Sequence, residues 1–284
     1  MKCDLCPNRC DVDRNVTVGA CGESEKIRIA KYYLHPFEEP VVSGKNGSGT
    51  VFFCGCSLKC VFCQNYELSR SMRGKVVSCE ELSDIFCELE KSGAHNINLV
   101  SPTHFAKSII KALDIRRPNI PVIWNTHGYE TNETIALIDP YVDVYLTDLK
   151  FFSPSRSQRY CGRADYFDVA FAAAKTMINS RPLLIEDGLI KRGVIIRHLI
   201  LPQNLDETKS ILSALRPVIG DAILSLMSQY TPFGDYAQYP ELHRTITRRE
   251  YEIALDHMNS FSFEHTFVQD FSSQSTEFIP DWDY

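Results

Sequence analysis

From residue 49 onward, short and nearly continuous apolar runs alternate with stretches whose apolar residues recur every three or four positions. The runs 50–54, 97–100, 122–125, 144–148, 194–201 and 222–227 read as strands. Unbroken apolar character is what parallel strands need when both faces are covered. The stretches between them carry helix signals. Ser78 with Glu81 makes a capping box ahead of Leu82, Ile85, Phe86 and Leu89 on one face. Residues 166–179 are alanine-rich and helical. Asp206 is expected to cap a helix carrying Ile211, Leu212 and Leu215. Thr247 with Glu250 is expected to cap another, carrying Tyr251, Ala254 and Met258. Strand–helix units in this succession predict a parallel sheet with right-handed crossovers, and an incomplete (β/α)6 barrel fits their number.

Residues 1–48 differ. They hold four cysteines, several turn residues and few apolar runs, and 42–49, with Gly44, Gly47 and Gly49, read as a flexible junction. The pattern divides the chain into a cysteine-rich metal-binding extension (1–48), the partial barrel (49–260) and a C-terminal segment expected to pack on the barrel (261–284). Composition alters little: 284 residues, 44% hydrophobic and 23% charged, suffice for a sizeable core. A net charge of −6 leaves no footprint for general nucleic-acid binding. No apolar run is long enough to span a bilayer, and MKCDLCPNRC lacks the apolar region of a secretory signal, so the expected location is cytoplasmic. In a reducing compartment the 11 cysteines read as metal ligands or buried thiols rather than disulfides. Cys54, Cys79, Cys87 and Cys161 lie outside the two clusters and are read as structural.

Chemistry concentrates in GCSLKCVFCQNY, where Cys56, Cys60 and Cys63 are spaced C-x3-C-x2-C directly after the first strand. Three thiolates at one end of a sheet can hold three irons of a four-iron cluster and leave one iron unclaimed by protein. A zinc site would need a second cysteine pair downstream, and none follows. Cys3, Cys6, Cys10 and Cys21, spaced C-x2-C-x3-C-x10-C, suit either a closed zinc site or an auxiliary iron–sulfur cluster. His35, Glu38 and Glu39 in HPFEEP lie between the clusters, to bridge the extension to the barrel or to touch substrate. His104 and His127 read as hydrogen-bonded structural groups, with proton relays or substrate contacts as the alternatives.

The cysteine loop resembles the signature of the radical S-adenosylmethionine (SAM) superfamily in residue types, order and spacing, and Phe62 fills the aromatic position before the third cysteine. The stretches CDLCPNRCDVDR, GSGTVFF, CQNYELS, NLVSPTH, LMSQYTPFG and FIPDWD extend the resemblance to an uncharacterised branch of pyruvate formate-lyase activating enzyme-like proteins. The resemblance implies a partial (β/α)6 barrel, a [4Fe-4S] cluster on Cys56, Cys60 and Cys63, and SAM bound to the open iron. It implies one-electron cleavage of SAM to a 5′-deoxyadenosyl radical that abstracts hydrogen from a substrate. It also implies a flavodoxin- or ferredoxin-like electron donor. Many members end strand two with Gly-Gly-Glu at the methionine amino group. Here that strand ends VSPTH, leaving Ser101 and Thr103 as acceptors, or Thr103 as a helix cap. The resemblance further implies that Phe62, Asn125, Asp148, Lys150 and Arg197 surround SAM, Lys150 and Arg197 being suited to its carboxylate. A pairing of Asp148 with Arg197 is the structural alternative. The substrate stays open between a glycyl radical enzyme, a peptide and a small metabolite. A non-enzymatic iron–sulfur or zinc-binding adaptor is the rival from another class, and it predicts metal without SAM affinity.

Overall fold

The computed structural model describes residues 2–71, 73–232 and 236–275; Phe278 to Tyr284, and with them FIPDWD, lie outside the described residues. Among the described residues the strands are β1 (Arg28–His35), β2 (Ser48–Phe53), β3 (Lys75–Val76), β4 (Ile97–Val100), β5 (Val122–Thr126), β6 (Val144–Asp148), β7 (Leu184–Glu186), β8 (Leu189–Leu199), β9 (Ile223–Met227) and β10 (Thr266–Val268). The helices are α1 (Pro40–Ser43), α2 (Tyr66–Arg70), α3 (Cys79–Lys91), α4 (Ala106–Ile115), α5 (Asn132–Ile138), α6 (Pro154–Cys161), α7 (Tyr166–Ser180), α8 (Leu205–Leu215) and α9 (Arg248–Asn259). One sheet runs β10-β9-β8-β6-β5-β4-β2-β1-β3, with β7 paired to β8. From β2 to β10 the neighbours along this path are parallel. β1 and β3 extend the far edge antiparallel. The sheet does not close, so this is a partial barrel with helical crossovers, and it contains the six strands that the apolar runs predict.

Four strands, β1, β3, β7 and β10, stand where the pattern gave none. β1 lies within the cysteine-rich portion and pairs with β2, and β10 adds a short edge strand. The stretch 42–49 is a tight turn rather than a loose junction. Gly44 and Gly47 adopt positive φ there, and the chain enters β2 fully buried. α3 and α9 begin with the expected capping boxes. α8 differs: Asn204 precedes it, and Asp206 sits in its first turn, where a carboxylate favours the helix dipole. Asn204 spends its amide on the carbonyl of Pro202, 2.7 Å away, instead of capping. Thr103 starts a 3-10 turn that leads into α4 and makes no cap hydrogen bond. No helix among the described residues is long and apolar enough to cross a membrane.

Strand periodicity sets the site. Val122, Trp124, Tyr145, Val194, Ile196 and Leu224 point to the helix-covered face and join the main core with Leu82, Ile109 and Leu212. The alternate positions Ile123, Val144, Leu146, Ile195 and Ile223 form a second apolar cluster, plugged by Val42 of α1. Further along that same face the chain turns polar, at Asn125, Asp148, Arg197 and Ser225, which line a cavity at the C-terminal ends of the strands. Ligand sites of parallel α/β folds gather at that end.

Candidate active site

β2 ends at Phe53 and feeds directly into the cysteine loop. The loop is shaped by Lys59 in the left-handed region (φ 55°), by a Cys63 N–H to Cys60 O bond of 3.3 Å, and by a Val61 N–H to Tyr160 O bond of 2.9 Å that ties it to α6. Cys56, Cys60 and Cys63 line one cavity of about 450 Å³ with Phe62, Ser101, Asn125, Asp148, Lys150 and Arg197. That volume is in the ordinary range for a small-molecule site. Thr103 stands apart from these: it is buried, and its hydroxyl donates to Glu130. Phe62 packs edge-on against Phe151 and Tyr160, which closes the floor beside the cysteines.

The thiols of the loop feel one another. Burial pushes Cys63 up to about 12, and Cys56 and Cys60 push in the same direction. Cys56 is likewise raised, by burial and by Cys60. Thiolates held this close and this dry ionise only beside a cation, so the donor set suits a metal cluster with three protein thiolates. As they stand, no three or more His, Cys, Asp or Glu side chains among the described residues are gathered tightly enough to hold an ion. Cys161, outside the motif, donates to Ser157 O at 3.0 Å and accepts from Cys60, which raises Cys60 well above the ordinary thiol value and lowers Cys161.

Charge is arranged in two groups. Lys150 pairs with Asp148. Burial pulls against the Lys150 charge, but Asp148 and the thiols of Cys60 and Cys63 outweigh it and hold its pKa above the ordinary lysine value. Arg197 pairs not with Asp148 but with Glu38 and Glu39, its Nε 2.8 Å from Glu39 Oε1. Burial would raise Glu39, and Arg197 more than reverses it, leaving that carboxyl below its usual range. Asn98 donates to Glu38 Oε1 at 2.7 Å, and Asn125 reaches the same oxygen at 3.5 Å. HPFEEP therefore spans the cavity: His35, Phe37, Glu38 and Glu39 all line it. The sequence offered a signal, a paired carboxylate between the clusters, but not its destination. Ser225, Met227 and Gln229 also line the cavity. Their signals were the polar Ser225 inside the apolar run 222–227 and the stretch LMSQYTPFG, which holds Met227 and Gln229.

The histidines are scaffolding. Burial first, and then Lys150, lower His127 to about 3. Its Nδ1 accepts from Tyr129 N–H at 3.1 Å, so Nε2–H faces Ser57 Oγ at 2.8 Å. His104 is lowered to about 3, chiefly by burial, and bonds Cys54 O at 2.7 Å. Buried neutral rings, that of His127 bonded at both nitrogens, are poor proton relays near neutral pH. Gly128 makes the turn after β5 with φ 81°, and a Cβ there would stand 2.3 Å from Asp148 O. Only glycine permits β5 and β6 to end this close together. Ser101 turns the end of β4 with φ 57°, a conformation uncommon outside glycine and frequent at functional sites.

The radical SAM superfamily profile matches residues 50–215. An uncharacterised protein of Methanocaldococcus jannaschii is 34% identical over 272 residues, covering 92% of this chain and 75% of its own. SuiB of Streptococcus suis superposes with a TM-score of 0.53 at 13% identity over 78% of this chain, which spans about half, 49%, of SuiB. A domain of pyruvate-formate lyase-activating enzyme from Bacteroides vulgatus gives 0.39 at 14% identity, over 68% of this chain and 91% of that one. The SuiB superposition speaks for the fold alone.

Proposed function

The chain belongs to the radical SAM superfamily, and from that premise we propose that it cleaves SAM reductively at the cavity described and uses the resulting radical to take hydrogen from a polypeptide substrate. Family membership brings radical SAM chemistry, a [4Fe-4S] cluster and SAM. Cys56, Cys60 and Cys63 are the residues proposed to hold the cluster. When bound, the cluster supplies one electron to the sulfonium of SAM, giving methionine and a 5′-deoxyadenosyl radical. A flavodoxin- or ferredoxin-like protein is the proposed source of that electron.

The observation that carries this reading is the opening of the cysteine loop and the polar strand ends into one cavity. Lys150 lines the cavity with Cys60 and Cys63 and offsets thiolate charge there. Three carboxylates, Glu38, Glu39 and Asp148, face two cations, Arg197 and Lys150. His35 is held neutral by burial and adds nothing. The excess negative charge suits SAM, whose sulfonium, ammonium and carboxylate leave one net positive charge. Arg197 is already saturated by Glu38 and Glu39, so its part is to hold those carboxylates rather than to take the methionine carboxylate. That second part falls to Lys150. Phe62 and the aromatic floor exclude water from the cysteine side. Exposed Phe37 and Val268 at the rim favour a polypeptide over a small metabolite. A glycyl radical enzyme is the candidate that the sequence resemblance suggests.

The test is anaerobic reconstitution with iron and sulfide, followed by dithionite and SAM. Wild-type protein is expected to yield 5′-deoxyadenosine and methionine, and Cys60→Ala to yield neither. A fully loaded wild-type cluster that forms no 5′-deoxyadenosine overturns the reading. For the substrate, candidate polypeptides deuterated at glycine Cα are expected to pass label into 5′-deoxyadenosine.

A further inference from the structure

The four N-terminal cysteines lie outside the cavity and outside the matched profile. Residues 2–27 contain no helix and no extended strand, only a bridge between Lys2 and Asp13. Apart from Cys6 and Cys21, their buried apolar side chains are Leu5 and Ile27, while Val16 and Val18 are exposed. So small a lobe does not hold together by apolar burial and needs a cross-link or a metal. All four thiols are free. The backbone is nonetheless tightly turned: Cys3 N–H to Val12 O is 2.9 Å, Arg9 N–H to Cys6 O 2.9 Å and Asp11 N–H to Cys3 O 3.2 Å, with Arg9 and Asp11 in the left-handed region.

The turns direct the sulfurs toward one region, though not yet to the spacing that holds an ion. Cys6 lies within electrostatic reach of Cys3 and Cys21, and Cys21 within reach of Cys3. The point at which a side chain on Gly19 would begin is 3.4 Å from Cys10 Sγ and 3.5 Å from Cys21 Sγ, so these two sulfurs flank a gap that glycine leaves empty. A second observation points the same way. Glu130, 2% exposed, accepts from Thr103 and Thr126 through Oε1, while its buried Oε2 has no partner, and its carboxylate lies within electrostatic reach of Cys6. A buried acceptor beside converging thiols is left uncompensated unless a cation joins them.

We infer that Cys3, Cys6, Cys10 and Cys21 bind one zinc ion, and that this zinc fixes the cysteine loop of the cavity from behind. The thiols close their last distance on the ion, as in segments that fold around zinc. Ligand spacings of C-x2-C and C-x3-C are those of structural zinc sites. A redox-silent ion fits a lobe that meets its neighbour through backbone hydrogen bonds rather than through a cavity. Those bonds are specific. Cys21 O accepts from Cys56 N–H at 3.1 Å, and Asn8 Nδ2 donates to Ser57 O at 2.9 Å. The Arg14 guanidinium ties the carbonyls of Glu23, Ser24 and His104 together. The zinc assignment stands without the proposed function; the positioning role rests on it.

The test is metal analysis of the full chain purified anaerobically. Wild type is expected to carry one zinc beside its iron. Cys60→Ala is expected to lose iron and keep zinc, and Cys10→Ser to lose zinc, so the two sites fail separately. Cys10→His, which keeps four ligands, is expected to keep zinc and covers the case in which Cys10→Ser does not fold. Cobalt added to the zinc-free Cys56/Cys60/Cys63→Ala variant is expected to give the spectrum of a tetrahedral thiolate site at one equivalent. Iron in place of zinc in Cys60→Ala, no metal, or six-coordinate cobalt overturns the assignment. Iron retention undiminished in the soluble Cys10→Ser chain overturns the positioning role.

Discussion

At the scale of single residues, the chemistry turns on how many thiols meet the cluster. Cys161 comes from the end of α6, far along the chain from the loop, and its sulfur reaches that of Cys60. As a fourth ligand it would close the cluster and leave no iron for SAM. Its geometry argues for a different part. Its S–H is given to the Ser157 carbonyl of its own helix at 3.0 Å, and its sulfur accepts from Cys60. Cys161→Ala is therefore expected to keep full iron content and to form 5′-deoxyadenosine, with at most a small loss of stability. Iron and sulfide analysis beside Cys60→Ala checks this. Equal iron loss in the two variants would make the site a closed four-thiol one. The loop cysteines were legible because their ligand spacing is local. Cys161 was not, because nothing in its own neighbourhood of the sequence records which loop its helix end meets.

At the scale of elements, the six parallel strands of the core were legible because burial on both faces leaves them nearly uninterrupted. β1 was missed because it is unevenly half-covered, so Arg28, Lys31 and the tyrosines break any clean alternation. β10 was missed because a three-residue, largely exposed edge strand carries almost no pattern. The segment between β1 and α1 shows what sequence cannot give: its glutamates meet an arginine on β8, a partner far along the chain. That pairing fixes the segment across the cavity. Removing one member of a buried charge cluster typically costs about 3–5 kcal/mol, since the others stay buried and unpaired. Arg197→Met is expected to lose stability on that scale in urea unfolding of the metal-free chain. Neutralising the carboxylates as well, in Arg197→Met/Glu38→Gln/Glu39→Gln, is expected to recover much of it. If the single variant were as stable as wild type, HPFEEP would not be anchored by charge.

At the scale of the molecule, the polar ends of the strands are knit by neutral imidazoles, and this sets a pH limit. His104 joins α4's approach to the cysteine loop, His127 joins the end of β5 to Ser57, and His198 bridges Leu149 and Thr208. Burial lowers His104 and His127 to about 3 and His198 to about 4. In the unfolded chain the same rings titrate near 6.5. Between that value and about 4 the unfolded chain therefore takes up protons that the folded chain refuses, and stability falls as pH falls. Each ring contributes at most about 1.4 kcal/mol per pH unit across this window. Glu130, raised by burial to about 7, and Glu23, also raised by burial, act in the opposite sense, because they are protonated more readily when folded. The three imidazoles outnumber them, and His104 and His127 are displaced further than Glu130. The urea midpoint of the metal-free chain is therefore expected to be highest above pH 6.5 and to fall steadily through pH 5. The His198→Gln variant, whose ring bonds Leu149 and Thr208 and no cysteine-loop residue, is expected to show a shallower fall. A midpoint constant from pH 7.5 to 5 would mean that these rings accept protons within the fold, and the strand ends would then be wetter than their burial implies.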